Sequence, residues 1–207
     1  MIPDEIPITL VVEDDVSDAV ARKILAESVK KYAIGHTYGR TGSGYIKSRI
    51  AGFNRAARST PFLILTDLDR AECPPVLVRG WLAQDVRHRN LLFRVAVREI
   101  EAWLLAHREA FAAFAGIRRS MIPENVEEIA DAKKCLITLV SKSARRALRD
   151  DIVPPLHGSR QQGPNYNGRL AAFVYGDWDP RVAKRRSNSL ARTLEALDNF
   201  SPSWTSE

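Results

Sequence analysis

The chain has 207 residues, 45% of them hydrophobic, which suits one domain with a buried core, or one domain and a smaller appendage. It has no apolar run long enough to cross a membrane, and its two cysteines, Cys73 and Cys135, lack metal-ligand spacing, which excludes a disulfide scaffold and argues against zinc. Lys and Arg outnumber Asp and Glu by 31 to 25, a net charge of +6, but the excess is uneven. Acids crowd the start (Asp4, Glu5, Glu13, Asp14, Asp15, Asp18), and bases crowd the second half (Lys133, Lys134, Lys142, Arg145, Arg146, Arg149, then Arg181, Lys184, Arg185, Arg186, Arg192). Taken alone, most of these charges are ordinary solvated faces. Beside a carboxylate cluster they are what a metal-dependent enzyme acting on a polyanion needs. The start, MIPDEIPITL, has neither the basic residues nor the apolar stretch of a signal peptide, so a cytoplasmic protein is expected.

Residues 8–12 (ITLVV) read as a first buried strand, ending at Glu13-Asp14-Asp15. Val20, Ile24, Ser28/Val29 and Tyr32 then fall on one helical face, with Asp15 or Ser17 as the cap. Residues 34–38 read as a second strand. The turn Gly39-Arg-Thr-Gly42-Ser-Gly44 leads into a helix with Ile46, Ile50, Phe53 and Ala57 in register. That turn matches neither the dinucleotide fingerprint nor the P-loop, so it reads as a plain loop, with Lys47 as a candidate phosphate contact.

The stretch 61–75, PFLILTDLDRAECPP, gives a third buried strand that delivers Asp67 and Asp69. Residues two apart on extended chain point the same way, so these carboxylates can converge. Two such charges repel unless a cation sits between them, and a hard divalent ion such as Mg2+ is the simplest partner. A helix is predicted over 76–86, and a fourth strand over 91–97 (LLFRVAV). It runs through Arg98-Glu99-Ile-Glu101 into a helix with Ile100, Trp103, Leu104, Phe111 and Phe114 on its apolar side. Strands apolar on both faces, alternating with helices, predict an α/β fold with a mainly parallel sheet flanked by helices. Sites in such sheets lie at the carboxyl ends of the strands, where Glu13, Asp67, Asp69 and Glu99 all fall. Beyond Gly116 the pattern is helical: a start at Pro123-Glu124, a long basic helix over 131–149, a loop at 157–164 (HGSRQQGP), and helices over 165–174 and 188–199. The division expected is 1–116 as the α/β core and 117–207 as a helical elaboration that acts as a lid or platform, or only completes the packing.

Three kinships suggest themselves. LVVEDD with ILTDLD resembles a receiver domain, but no Lys-Pro occurs, and Asp67 with Asp69 resembles a haloacid-dehalogenase phosphatase, but position 71 is Ala. Both remain minor phosphoryl-transfer alternatives. A Glu ending the first strand and an Asp-x-Asp ending the third resemble the Toprim fold of topoisomerases, bacterial primases and OLD-type nucleases. More narrowly, VVEDDVSDAV, LTDLDRAECP, VAVREIEAWLLA, the GPNY loop and the NSLAR segment resemble the DUF4276-like bacterial proteins over most of the chain. Asp14-Asp15 departs from the Gly that many Toprim proteins place after the Glu.

That resemblance implies Mg2+-dependent phosphodiester chemistry on nucleic acid, often in mobile-element and phage defence, and an ATPase partner protein. DNA is favoured over RNA as the substrate, and a homo-oligomer is compatible. Asp67 and Asp69 would hold Mg2+ or Mn2+, with Glu13 as a further ligand or as base. Glu99, nearer the strand end, is preferred as a ligand over Glu101, which could instead pair with an Arg. Asp14 and Asp18 are outer-shell candidates or simple helix N-terminal charges. Lys47, Arg98 and Lys133 are candidates for the cation facing the transition state. His157 could touch substrate, Trp103 reads as core, and Tyr166 as a topoisomerase-like nucleophile is rejected on chain length. The competing class is a non-catalytic Mg2+-binding regulatory subunit of an ATPase complex.

Overall fold

Strand and helix alternate through the first half of the chain: β1 (Ile6–Val12), α1 (Asp15–Ala26), β2 (Tyr32–Gly39), α2 (Ser43–Ala56), β3 (Phe62–Asp67), α3 (Pro74–Leu82), β4 (Leu91–Ala96), then α4 (Ile100–Ala106) and α5 (Arg108–Ala115). The computed structural model describes residues 5–155 and 160–203. The four strands form one sheet in the order β2-β1-β3-β4, and every pairing is parallel. Alternate residues of β1 and β3 serve opposite faces, which is why both strands read as continuously apolar. Val11 and Ile64 pack with Ile50 and Phe53 of α2 and Leu77 of α3. Leu10, Val12, Leu63 and Leu65 pack with Val20 and Ile24 of α1 and Trp103 of α4.

The second half passes through 3-10 turns at Arg119–Met121 and Val126–Glu128, then α6 (Ala132–Ser141), α7 (Arg146–Ile152), α8 (Tyr166–Gly176), α9 (Pro180–Ala183) and α10 (Asn188–Asp198). Leu136, Ile152, Phe173, Trp178 and Leu190 from these helices join the same apolar cluster as α1 and α4. The helical half therefore covers one face of the sheet, and α2 and α3 cover the other.

Several boundaries differ from the sequence reading. The cap of α1 is Asp14, whose Oδ1 accepts from Ser17 N at 2.8 Å, and the helix stops at Ala26. Ser28 and Val29 instead meet Asp198 of α10, and Tyr32 opens β2 with its hydroxyl donating to Leu197 O. Helix α3 begins at Pro74, where proline's fixed φ suits a first turn, and ends at Leu82. The helix after β4 breaks at His107, whose Nδ1 accepts from Asp179 N. No helix starts at Pro123; Glu124 pairs with Arg108 instead. The long basic helix splits at 142–145, where Ser143 Oγ accepts from Arg145 N and begins a new turn. Asp4 and His157 lie outside the described residues.

The loop after β2 clamps the exit of β1. Arg40 N donates to Val12 O and Gly42 N to Glu13 O, both at 2.9 Å. Gly39 has φ +101°, and a Cβ there would lie 2.0 Å from Val12 O. Gly39→Ala should therefore lower stability by about 2 kcal/mol or more, read as a drop in the urea midpoint. Gly44→Ala, in the first turn of α2 with nothing within 4 Å, should be neutral or mildly stabilising. Equal effects of the two would refute the clamp.

Candidate functional site

Strand order places the first two acids side by side. The chain moves outward from β1 to β2, then crosses back to β3 and on to β4, so the crevice of this sheet lies at the carboxyl ends of β1 and β3. Val12 pairs with Leu65, which sets Glu13 opposite Thr66. Glu13 Oε1 accepts from Asp67 N at 2.8 Å and also from the Thr66 hydroxyl. Asp67 Oδ1 accepts from Ile100 N, at the start of α4, at 2.8 Å. Leu68 N and Asp69 N both donate to Arg98 O, at 3.0 and 2.9 Å, which laces the exit of β3 to that of β4. Asp69 has φ +49° and is exposed at this turn.

Glu101 lies on the inner side of the group, 1% exposed. Its Oε1 accepts from Tyr166 OH at 2.7 Å and faces Lys133 Nζ at 3.5 Å, while its Oε2 has no hydrogen-bond partner. The Lys133 ammonium also sits 5.5 Å over the Tyr166 ring. The GPNY segment sets this up: a Cβ at Gly163 would lie 2.4 Å from Asp151 O, so only glycine lets the chain pass α7 closely enough to seat Tyr166 on Glu101. Lys133 is placed by α6, and its backbone N–H donates to Glu99 Oε2 at 2.8 Å.

These groups perturb one another. Burial raises Asp67 well above the usual carboxylate range, and the charges of Glu101, Glu13, Asp14 and Asp69 raise it further. Burial raises Glu101 more than Lys133 and the Tyr166 hydroxyl lower it. Glu13 is raised by burial against the hydrogen bonds from Thr66 and Asp67 N. Burial works to lower Lys133, but Glu101, Asp14, Asp67 and Glu99 outweigh it and hold the ammonium charged. Burial and Glu101 push the Tyr166 hydroxyl well up, so it stays a donor, which is no state for a nucleophile.

Of the residues proposed from sequence, Glu13, Asp14, Asp67, Asp69, Glu101 and Lys133 act on one another's charges. Others are engaged elsewhere. Asp18 is held by Arg22 at 3.0 Å and Arg40 at 2.7 Å, an ion-paired brace between α1 and the β2 exit. Lys47 is exposed on α2 and makes no hydrogen bond or ion pair among the described residues. The Arg98 guanidinium donates to Asp69 O and Ala71 O, so it holds the turn. Glu99, preferred from sequence as a ligand, is the cap position of α4 and its carboxylate accepts from the start of α6, while Glu101 turns inward beside Asp67. Thr66 was overlooked. Its signal is a hydroxyl at the end of an apolar strand, in register with Glu13.

All the clustered donors are oxygens, which suits a hard divalent cation, and the unpartnered Glu101 Oε2 and the raised acids are what such an ion would relieve. The chelate is not assembled, however: among the described residues no three His, Cys, Asp or Glu side chains form a group arranged to hold an ion. A groove of about 520 Å3, lined by Glu99, Asp131, Lys133, Lys134 and Gln161, opens beside the cluster. No helix among the described residues is long and apolar enough to cross a membrane.

No protein-family model matches the chain, and no curated protein is significantly similar to it. Among solved structures it is similar to the C-terminal region of the Burkholderia pseudomallei OLD protein, with 14% identity, coverage of 92% of this chain and 98% of that one, and a TM-score of 0.44. The functional reading therefore rests on the site's own geometry.

Carboxyls raised on folding hold protons more tightly in the folded state. The stability present below their unfolded value, about 4, is lost as pH rises through the folded values. Lys133 titrates far above this window. In EDTA the thermal midpoint should fall from about pH 5 to about pH 8, by about 2–4 °C or more. Asp67→Asn, which keeps an oxygen for Ile100 N, should fall less. His107, lowered by burial, works in the opposite direction in both proteins, so a fall in Asp67→Asn as large as in the wild type would refute the mutual repulsion.

Proposed function

We propose that the chain is a divalent-cation-dependent phosphodiesterase acting on nucleic acid, with DNA favoured over RNA. The observation that carries this is the clasp of Glu13 and Asp67 across the β1–β3 crevice, backed by the half-satisfied Glu101 and faced by a charged Lys133. Buried like charges held together at a strand-end crevice are costly for folding, and function is the common reason for keeping them.

In this reading Asp67 and Asp69 would hold Mg2+ or Mn2+, and the second oxygen of Glu13 is left for the attacking water. When bound, such an ion withdraws charge from a phosphate oxygen and acidifies water. Glu13, whose carboxyl burial has made more basic, takes the proton from the attacking water. Lys133 presents its ammonium to the charge that develops on the phosphate. Glu101 and Tyr166 hold that ammonium in place, and Arg98 fixes the turn that carries Asp69. The resemblance in the motifs extends this reading to mobile-element defence beside an ATPase partner.

The alternative is a non-catalytic Mg2+-binding subunit of an ATPase complex, for which the same oxygen donors would serve. A receiver-type phosphoryl acceptor shares this strand order for its first four strands, but the described residues contain no fifth strand.

The test is incubation of the full chain with plasmid, single-stranded DNA and RNA in Mg2+ or Mn2+, beside Asp67→Asn and Glu13→Gln. Cleavage should need the divalent ion and fall in each variant by more than about 100-fold, beyond what outer-shell changes cost. Lys133→Met should lower turnover more than Mn2+ affinity measured by calorimetry. Cleavage that survives both acid substitutions refutes the site. Calorimetric Mn2+ binding without cleavage of any substrate supports the non-catalytic alternative.

A further inference from the structure

A second surface of the molecule has no part in the acidic site. A groove of about 530 Å3 runs along the free edge of β4, between α3 and α10. Its floor is apolar: Val97 at the exit of β4, with Pro74, Pro75 and Val78 from α3, lying over the buried Phe93 and Val95. Four arginines border it, namely Arg79, Arg87, Arg94 and Arg192. Among the described residues none of the four makes an ion pair.

The arginines lie close enough to repel. Arg94 is lowered first by burial and then by Arg87 and Arg192. It is anchored through its guanidinium to Arg192 O at 3.0 Å and Thr193 Oγ1 at 3.4 Å, so its position is fixed. Two carboxylates stand nearby. Glu127 is consumed by Ser187 and Ser189, whose hydroxyls and backbone N–H donate to its Oε1 at 2.6–2.7 Å. Glu195 only partly offsets the charge at Arg94. The groove therefore presents a net positive rim over an apolar floor. Its upper end is at Val97 and Pro74, where the chain leaves β4 and the Asp69 turn, so it reaches the same carboxyl edge of the sheet as the acids.

We infer that this groove binds a single strand of nucleic acid, with the arginines on its phosphates and bases laid against the apolar surface of Val97, Pro74, Pro75 and Val78. Charge complementarity selects a polyanion. The floor selects a strand with exposed bases, because a duplex would meet the rim with phosphates alone and leave the apolar residues wet. As a substrate path the groove rests on the proposed nuclease reading; as a binding surface it can be measured without it.

The probe is a fluorescein-labelled oligothymidylate of about 15 nucleotides, read by anisotropy with the full chain in EDTA, so that the metal site is silent. The wild type should bind it. Arg87→Ala/Arg192→Ala, at two exposed positions, should weaken binding roughly tenfold and lower the slope of log K against log salt by about 1.4, the single-strand value for two lost phosphate contacts. Arg55→Ala/Arg58→Ala, exposed in the last turn of α2 and the turn that follows it, is the control and should bind like the wild type. An abasic oligomer of equal length should bind at least about fivefold more weakly. Unchanged binding in the groove variant, an equal loss in the control, or a duplex that competes as well as the single strand would each overturn the inference. Asp67→Asn should keep full oligomer affinity while losing cleavage. Intact binding with no cleavage by the wild type would therefore refute the enzymatic reading and leave the groove standing.

Discussion

Two carboxylates held together against their own repulsion organise this molecule. Glu13 and Asp67 meet because β1 and β3 are adjacent and parallel, so both strands release their chains at the same edge. What keeps them there is hydrogen bonding to a single oxygen: Glu13 accepts from the backbone and the hydroxyl of the facing strand end. The sheet supplies a rigid frame from the apolar packing on its two faces, and that packing bears the electrostatic cost at its rim. Much of the remaining architecture around the edge serves to fix these ends. The backbone N–H groups of Arg40 and Gly42 clamp the first, past a close approach that Gly39 permits, and the carbonyl of Arg98 clamps the third.

The helical half has a specific part in this. Glu101 projects from α4 toward the acids, and its two partners come from α6 and α8. Three segments that stand out in the sequence meet in space. REIEAW supplies Glu101 and Trp103, GPNY supplies Tyr166, and NSLAR supplies Ser189, which accepts from the Trp103 indole at 2.8 Å. Trp103 is core, as its helical spacing suggests, but it is also a bonded joint between the sheet side and α10.

The sheet was legible because a parallel strand must be apolar on both faces, and ITLVV, FLILT and LLFRVAV are. Strand-end acids were legible for the same reason, since their position follows from where the apolar run stops. What the sequence did not disclose was the orientation of individual side chains. Glu99 and Glu101 differ only in whether they fall at the cap or inside the helix, and that depends on Ile100 N finding Asp67. Asp18 reads as part of the acidic cluster, yet two arginines from α1 and the β2 exit claim it. Helix ends were misplaced where a hydroxyl or a carboxylate intervened, as Ser143 does between α6 and α7 and Asp198 does beyond the end of α1. Asp198 is far away in sequence, and neither partner leaves a periodic trace.

The bond from Tyr166 to Glu101 spans 65 positions of the chain. During synthesis the sheet and its strand-end acids emerge first, and Glu101 then has neither its hydroxyl donor nor its ammonium. Until α6 and α8 have left the ribosome, the acidic edge is a charged, unbalanced surface that resists compaction. Completion of the acidic edge therefore waits for α8, and a truncated chain that stops short of Tyr166 would carry the acids without the hydroxyl that meets Glu101.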